Sequence, residues 1–144
     1  MNLSTFNKGY IIGILDGEGY VSVTRHFLRK SGKFNYRARI DITTTDIRLV
    51  KKIMGLKLQT RVDFNPSKKK ECHKPRYIIR FLGPKLLLQF LNIIPIKEFV
   101  IKKKQILLLK KFCEERLKTH YYTGIEDGYY RKMLKLNKRG LCVQ

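Results

Sequence analysis

Acidic residues are scarce in this chain. Eleven Asp and Glu stand against 32 Lys and Arg, which leaves a formal net charge of +21 over 144 residues and a pI near 10.2. A field of one sign on that scale points to a polyanionic partner. Long apolar runs are missing too. No stretch approaches the roughly 20 residues of a membrane-spanning helix, and Met1-Asn2-Leu3-Ser4-Thr5 does not read as a signal peptide. A membrane is therefore not the expected polyanion. The three cysteines, Cys72, Cys113 and Cys142, are odd in number and far apart, which excludes a disulfide framework and CxxC metal spacing. They fit a reducing, intracellular compartment. Cys72 and His73 are adjacent, but nothing supplies two further ligands. Ala38 is the sole alanine, and Lys, Ile and Leu are favoured. This bias fits an A·T-rich genome, with a mitochondrion or chloroplast as the expected location. Disorder is excluded by hydrophobic and aromatic contents of 43% and 11%. The charge belongs to a folded nucleic-acid binder, expected as one domain over residues 1–136 with C-terminal helices from about 98, then a basic tail over 137–144.

What is present is organised around Tyr10-Ile11-Ile12-Gly13-Ile14-Leu15-Asp16-Gly17-Glu18-Gly19. Gly9, Gly13 and Gly17 recur every four residues and line one stripe of a helix, a surface that admits a second backbone closely. Each glycine inside a helix costs about 1 kcal/mol against alanine, and close helix contact is the reason that fits three of them. Asp16 and Glu18 are two apart and cannot share a helix face. Gly19 reads as the helix stop, with a strand from Tyr20 to Thr24, so Glu18 projects where the chain turns. Two such helices packed through their glycines would bring two Glu18 carboxylates together, as hard-metal ligands.

Four later stretches have a period of two. Val21 and Val23 oppose Ser22, Thr24 and His26; Ala38, Ile40 and Ile42 oppose Arg37, Arg39 and Asp41. Thr60, Val62 and Phe64 oppose Gln59, Arg61 and Asp63; Tyr77, Ile79 and Phe81 oppose Arg76, Ile78 and Arg80. The pattern predicts an antiparallel sheet covered on one side. Its open face carries the side chains that read base edges in a major groove, Arg for guanine and Asp for cytosine. Asp46 is the expected N-cap of a helix from Ile47 to Met54 stopped by Gly55, and Gly83-Pro84 opens another through Leu91. After Pro95 a long helix is expected over Glu98 to Leu117, with Phe99, Ile106, Leu109, Cys113 and Leu117 on its apolar face, then an amphipathic piece from Ile125 to Leu136. Phe27 to Tyr36 and Asn65 to Pro75, the latter with Lys68, Lys69 and Lys70, read as loops that contact phosphates.

Ile11 to Gly19, read as IIGILDGEG, resembles the LAGLIDADG signature of homing endonucleases, with Glu at the second acid where Asp is commoner. The resemblance implies an α+β fold, an αββαββα core with a DNA-binding antiparallel sheet and C-terminal helices. No second motif is found; Gly124-Ile125-Glu126-Asp127-Gly128 echoes the first without an apolar run before it. One motif implies a homodimer joined through the glycine stripes, acting on long, near-palindromic double-stranded DNA. The implied activity is metal-dependent hydrolysis of one phosphodiester per strand. Glu18 would bind Mg²⁺ (or Mn²⁺), with the Gly19 carbonyl as a further ligand, and Asp16 would be structural. Arg48 and Lys102 fall where relatives place basic residues around the scissile phosphate, although Lys104 competes with Lys102. Thr44 stands where single-motif relatives often have a water-positioning glutamine. The rival readings are an intron maturase, with RNA as partner, and a regulator that binds DNA without cutting.

Overall fold

The computed structural model describes residues 3–66, 75–119 and 123–138. Helix α1 (Thr5–Glu18) opens on Ser4, whose hydroxyl accepts from the Asn7 N–H at 3.3 Å. It buries Ile11, Ile12 and Leu15 and passes without a loop into β1 (Gly19–Leu28). Gly19 makes that junction feasible, since a Cβ there would lie 2.5 Å from the Leu15 carbonyl oxygen. The chain continues through β2 (Lys33–Thr44), α2 (Ile47–Gly55), β3 (Arg61–Asn65) and β4 (Arg76–Leu82). It ends in α3 (Pro84–Ile93), α4 (Lys103–Lys118) and α5 (Ile125–Asn137). Asp46 caps α2 by accepting from the Arg48 N–H at 2.8 Å, as its sequence position predicts. All strands pair antiparallel in the order β1-β2-β4-β3. The expected α+β architecture is what forms.

Strand alternation decides which face the helices cover. Val21, Val23, Ala38, Ile40, Ile42, Ile79 and Phe81 join Ile11, Leu15, Leu87, Phe90, Ile106, Leu109, Phe112 and Met133 in one core. The other face is left mainly to polar and charged side chains, with Ile78 half-buried among them. Cys113 is part of the core, where burial, aided by the Glu114 charge, pushes its thiol up to about 12 and leaves it unreactive. Among the described residues no helix is long and apolar enough to cross a membrane.

The structure corrects several expectations. Phe27 to Tyr36 is no loop: β1 and β2 pair out to Leu28 and Lys33, and only the turn between them is irregular. Gly32, at φ 65°, closes it by donating to the Leu28 carbonyl at 2.9 Å, and the Phe27 and Phe34 rings meet across the strands at 5.4 Å. Gln59 precedes β3 and is exposed, because the chain must first seat Leu58 in the core. Phe64 is 56% exposed, resting on Tyr77 at 5.2 Å, because β3 is an edge strand. The long helix starts at Lys103 rather than Glu98, after a 3₁₀ turn over Ile96–Glu98, for a reason that lies in the candidate site. On its buried face Phe112 takes the place predicted for Leu117, which is exposed. The echo at 124–128 serves the fold. Buried Glu126 accepts from the Thr123 N–H at 3.2 Å and from Arg116 at 3.3 Å, while Asp127 accepts from the Tyr36 hydroxyl at 2.9 Å. Cys72, His73, Lys68, Lys69, Lys70, Cys142 and the tail from 139 lie outside the described residues, as does most of the expected loop over 65–75.

Candidate active site and nucleic-acid interface

Where α1 ends, two helix termini cap each other. The Asp16 carboxylate accepts from the backbone N–H groups of Val100 at 2.9 Å, Ile101 at 3.0 Å and Lys102 at 2.7 Å. These donors lead into the N-terminus of α4, whose own N-cap, Lys102, has no side-chain acceptor to offer. Lys102 returns the contact: its ammonium donates to the Asp16 carbonyl and, at 3.0 Å, to the Gly17 carbonyl, satisfying the open end of α1. Asp16 thus holds residues 100–102 out of helical geometry, which is why α4 begins late. Burial raises the Asp16 pKa, but the N–H groups of Ile101, Lys102 and Val100 and the Lys102 charge outweigh it and hold the carboxyl below its ordinary 3.8.

A depressed carboxyl stabilises the fold fully above its unfolded value of 3.8, and that contribution is lost as the pH falls through the lower, folded value. Asp16→Asn should lower stability by on the order of 2 kcal/mol at neutral pH, since hydrogen bonds to a charged acceptor are weakened together. Its loss of stability below pH 4 should also be shallower than that of the wild-type chain. Urea melts between pH 3 and 7 check both; identical melts for the two proteins would contradict the cross-cap.

Glu18, the last residue of α1, is exposed, and among the described residues its carboxylate has no hydrogen-bond or ion-pair partner. The register Gly19↔Ile42 sets this helix end beside Thr43 and Thr44. The Thr44 hydroxyl oxygen accepts from the Asp46 N–H at 3.0 Å, which leaves its O–H as a donor. Arg48 lies at the start of α2. Its guanidinium, 88% exposed, forms a fork with its own N-cap Asp46 at 2.7 and 3.0 Å, not with Glu18. Lys102 is brought to Glu18's neighbour Gly17, but as a cap on carbonyl oxygens. Among the described residues no three His, Cys, Asp or Glu side chains gather where a metal ion could sit. With both Asp16 oxygens engaged, one chain offers the Glu18 carboxylate and nearby backbone carbonyls as oxygen donors.

The glycine stripe is bare. A Cβ at Gly9, Gly13 or Gly17 would meet nothing within 4 Å, so no contact among the described residues explains these glycines. Phe6, on the same helical stripe, is 73% exposed, and Val100 and Ile101 are exposed beside the other end of α1.

On the open sheet face, Thr24 donates to the Arg37 carbonyl at 3.3 Å and contacts His26 Nε2 at 3.1 Å. Ser22, predicted to be open, is buried because Arg39 lies over it and donates to its hydroxyl at 3.2 Å. Asp41 is 7% exposed, between Arg39 at 3.4 Å and Arg80 at 3.8 Å. Burial pushes its carboxyl up against the pull of those two arginines, and the Asp63 charge adds to the rise. Asp63 accepts from Arg61 at 2.7 Å and from Arg80. Ile78 is half-buried on this face, opposite Thr43 and Asp63. Sequence reasoning missed this pairing, because no local pattern tells which of the face's arginines meet its aspartates.

No protein-family profile and no curated protein sequence matches the chain. Solved structures do. An archaeal intron-encoded homing endonuclease, I-Vdi141I, complexed with DNA superposes with a TM-score of 0.76 at 19% identity, over 94% of this chain and 86% of that one. The homing endonuclease I-CvuI, in complex with its target in the presence of Ca, gives 0.73 at 12% identity, over 94% and 85%. The fold is that of the LAGLIDADG homing endonucleases. The I-SmaMI LAGLIDADG homing endonuclease, bound to cleaved DNA, gives 0.63 at 16% identity, and there the same LAGLIDADG fold covers 94% of this chain but 44% of the neighbour. Helix α1 carries the residues that resemble the LAGLIDADG signature, with the bare stripe as its open face and Glu18 as its last residue.

Proposed function

We propose that the chain is a homodimeric, divalent-metal-dependent DNA endonuclease that makes a double-strand cut at a long, near-palindromic site. The observation that carries this reading is Glu18, an exposed carboxylate with no partner among the described residues at the end of the LAGLIDADG helix, in a chain of net charge +21. An anion kept without a partner in so basic a protein is suited to a cation. Its oxygen, with the Gly19 carbonyl, suits a hard ion such as Mg²⁺ or Mn²⁺. Crystals of I-CvuI with DNA were obtained with Ca in one case and Mg in another. When bound, the metal supplies charge stabilisation on the phosphate and a water of lowered pKa.

One chain supplies too few donors, and a second copy supplies the rest. The bare stripe, with Phe6 at one end and Val100 and Ile101 at the other, is an apolar, close-packing surface that suits a two-fold contact. The chain spans 86% of I-Vdi141I but 44% of I-SmaMI, as one unit of a paired architecture would. In this reading Asp16, which accepts from the Lys102 N–H, positions Lys102 at the helix end. The Thr44 O–H, with no acceptor among the described residues, would orient a water, and Arg48 would leave Asp46 to meet phosphate.

The open sheet face would lie in the major groove. Binding should then fall steeply with salt, by about a thousandfold or more between 50 and 200 mM if six or more phosphates are neutralised. A gel-shift titration in the absence of metal measures the slope; a nearly flat one would rule the basic face out as the binding surface.

A further inference from the structure

Five charged side chains form one row across three strands of the open face: Arg39 and Asp41 on β2, Arg80 on β4, Asp63 and Arg61 on β3. The ladder sets Arg80 opposite both Asp41 and Arg61. Signs alternate along the row, so each acid lies between two guanidinium groups. Asp41 has Arg39 at 3.4 Å and Arg80 at 3.8 Å; Asp63 has Arg61 at 2.7 Å and Arg80 on its other oxygen.

Two acids at the centre of a DNA-facing surface are costly to affinity, because each repels phosphate. The row as a whole keeps a charge of only +1, three arginines against two aspartates. Direct base reading fits the acids poorly as well. Asp41 is buried, and both Asp63 oxygens accept from arginines. What a carboxylate between two guanidiniums does provide is direction. A planar fork already held at one angle loses less side-chain freedom when it meets the two acceptors of a guanine. The row also has an open joint: Asp41 Oδ1 and Arg80 Nε, 3.8 Å apart, are buried with no hydrogen-bond partner among the described residues.

We infer that Asp41 and Asp63 are positioning residues for base readout, holding Arg39, Arg61 and Arg80 as pre-oriented readers. Arg37 and Arg76, on the same face, have no acidic partner among the described residues, and they serve as phosphate contacts. The inference rests on the DNA-binding reading of this face and divides its arginines into two classes.

The test uses the full chain without divalent metal, on a randomised duplex pool whose bound fraction is sequenced. Wild type is compared with Asp63→Asn, Asp41→Asn and Arg80→Ala, and affinity for one fixed non-target duplex is measured separately. Both Asn variants should hold or gain non-target affinity, since each removes a negative charge. Both should lose discrimination by about tenfold at the base positions that Arg80→Ala flattens. Asp63 is the less buried of the two and is the variant to read first if Asp41→Asn fails to fold. A preference profile unchanged in the Asn variants would overturn the inference. So would uniform weakening on all sequences, which a merely structural role predicts. A change confined to a position that Arg80→Ala leaves intact would make the aspartates direct readers and overturn it as well. A wild-type chain that binds no duplex would instead refute the DNA-binding reading on which the inference stands.

Discussion

Replacing Glu18 with Gln should lower cleavage of target DNA by about a thousandfold or more while leaving the complex with DNA intact. The magnitude follows from what a metal-bound phosphate gains, several kcal/mol of charge stabilisation at 1.36 kcal/mol per tenfold in rate. Gln keeps the size and one oxygen of the side chain but removes the charge that fixes a hard cation. The fold should be indifferent, because Glu18 is exposed and has no partner among the described residues. Metal-free DNA affinity should stay level or rise slightly, since one repulsive charge leaves the interface. The sign of that binding change separates a catalytic carboxylate from a structural one. Parallel loss of binding and cutting would place Glu18 in the binding surface and remove it from the chemistry.

The second large effect concerns the bare stripe. Gly13→Leu should leave the single chain as stable as before or slightly more so, because a Cβ at Gly13 meets nothing within 4 Å and leucine is the better helix former. The same change should weaken the proposed dimer by about a hundredfold or more. Overpacking a close interface costs about 1–3 kcal/mol per side chain, and the two-fold axis makes every substitution act twice. Cleavage should disappear with the dimer, because each chain brings one Glu18. Analytical ultracentrifugation and a thermal melt of the same sample give both readings. A variant that remains dimeric and active would show that the glycines face solvent for some other reason.

How much of this was legible in the sequence depends on the range of the interaction. Short-range chemistry read well: the helix ending at Glu18, the Asp46 cap, the Gly83-Pro84 start and the two faces of β2 and β4 all depend on neighbours a few residues apart. Features set by distant partners did not. Asp16 reaches Val100 across 84 positions, so nothing near Glu98 announces that the long helix must wait until Lys103. Ser22 alternates as an open-face residue and is buried only because Arg39, across the strand pair, folds over it. Phe64 alternates as a core residue and is exposed because β3 is an edge strand, a fact of topology. At the site, Glu18 and the stripe were readable from the motif. The cross-capping role of Lys102 and the pairing of Arg48 with Asp46 emerge only from the folded chain.

The central claim is that two copies of this chain cut both strands of one DNA site with the help of a divalent metal. The most direct test is incubation of the wild-type chain with a randomised duplex library, with Mg²⁺ and with chelator, followed by sequencing of the ends. The account predicts discrete double-strand breaks at one near-palindromic sequence, present with Mg²⁺ and absent with chelator. Binding to the same sequences without any Mg²⁺-dependent break, or nicks on one strand alone, would contradict it.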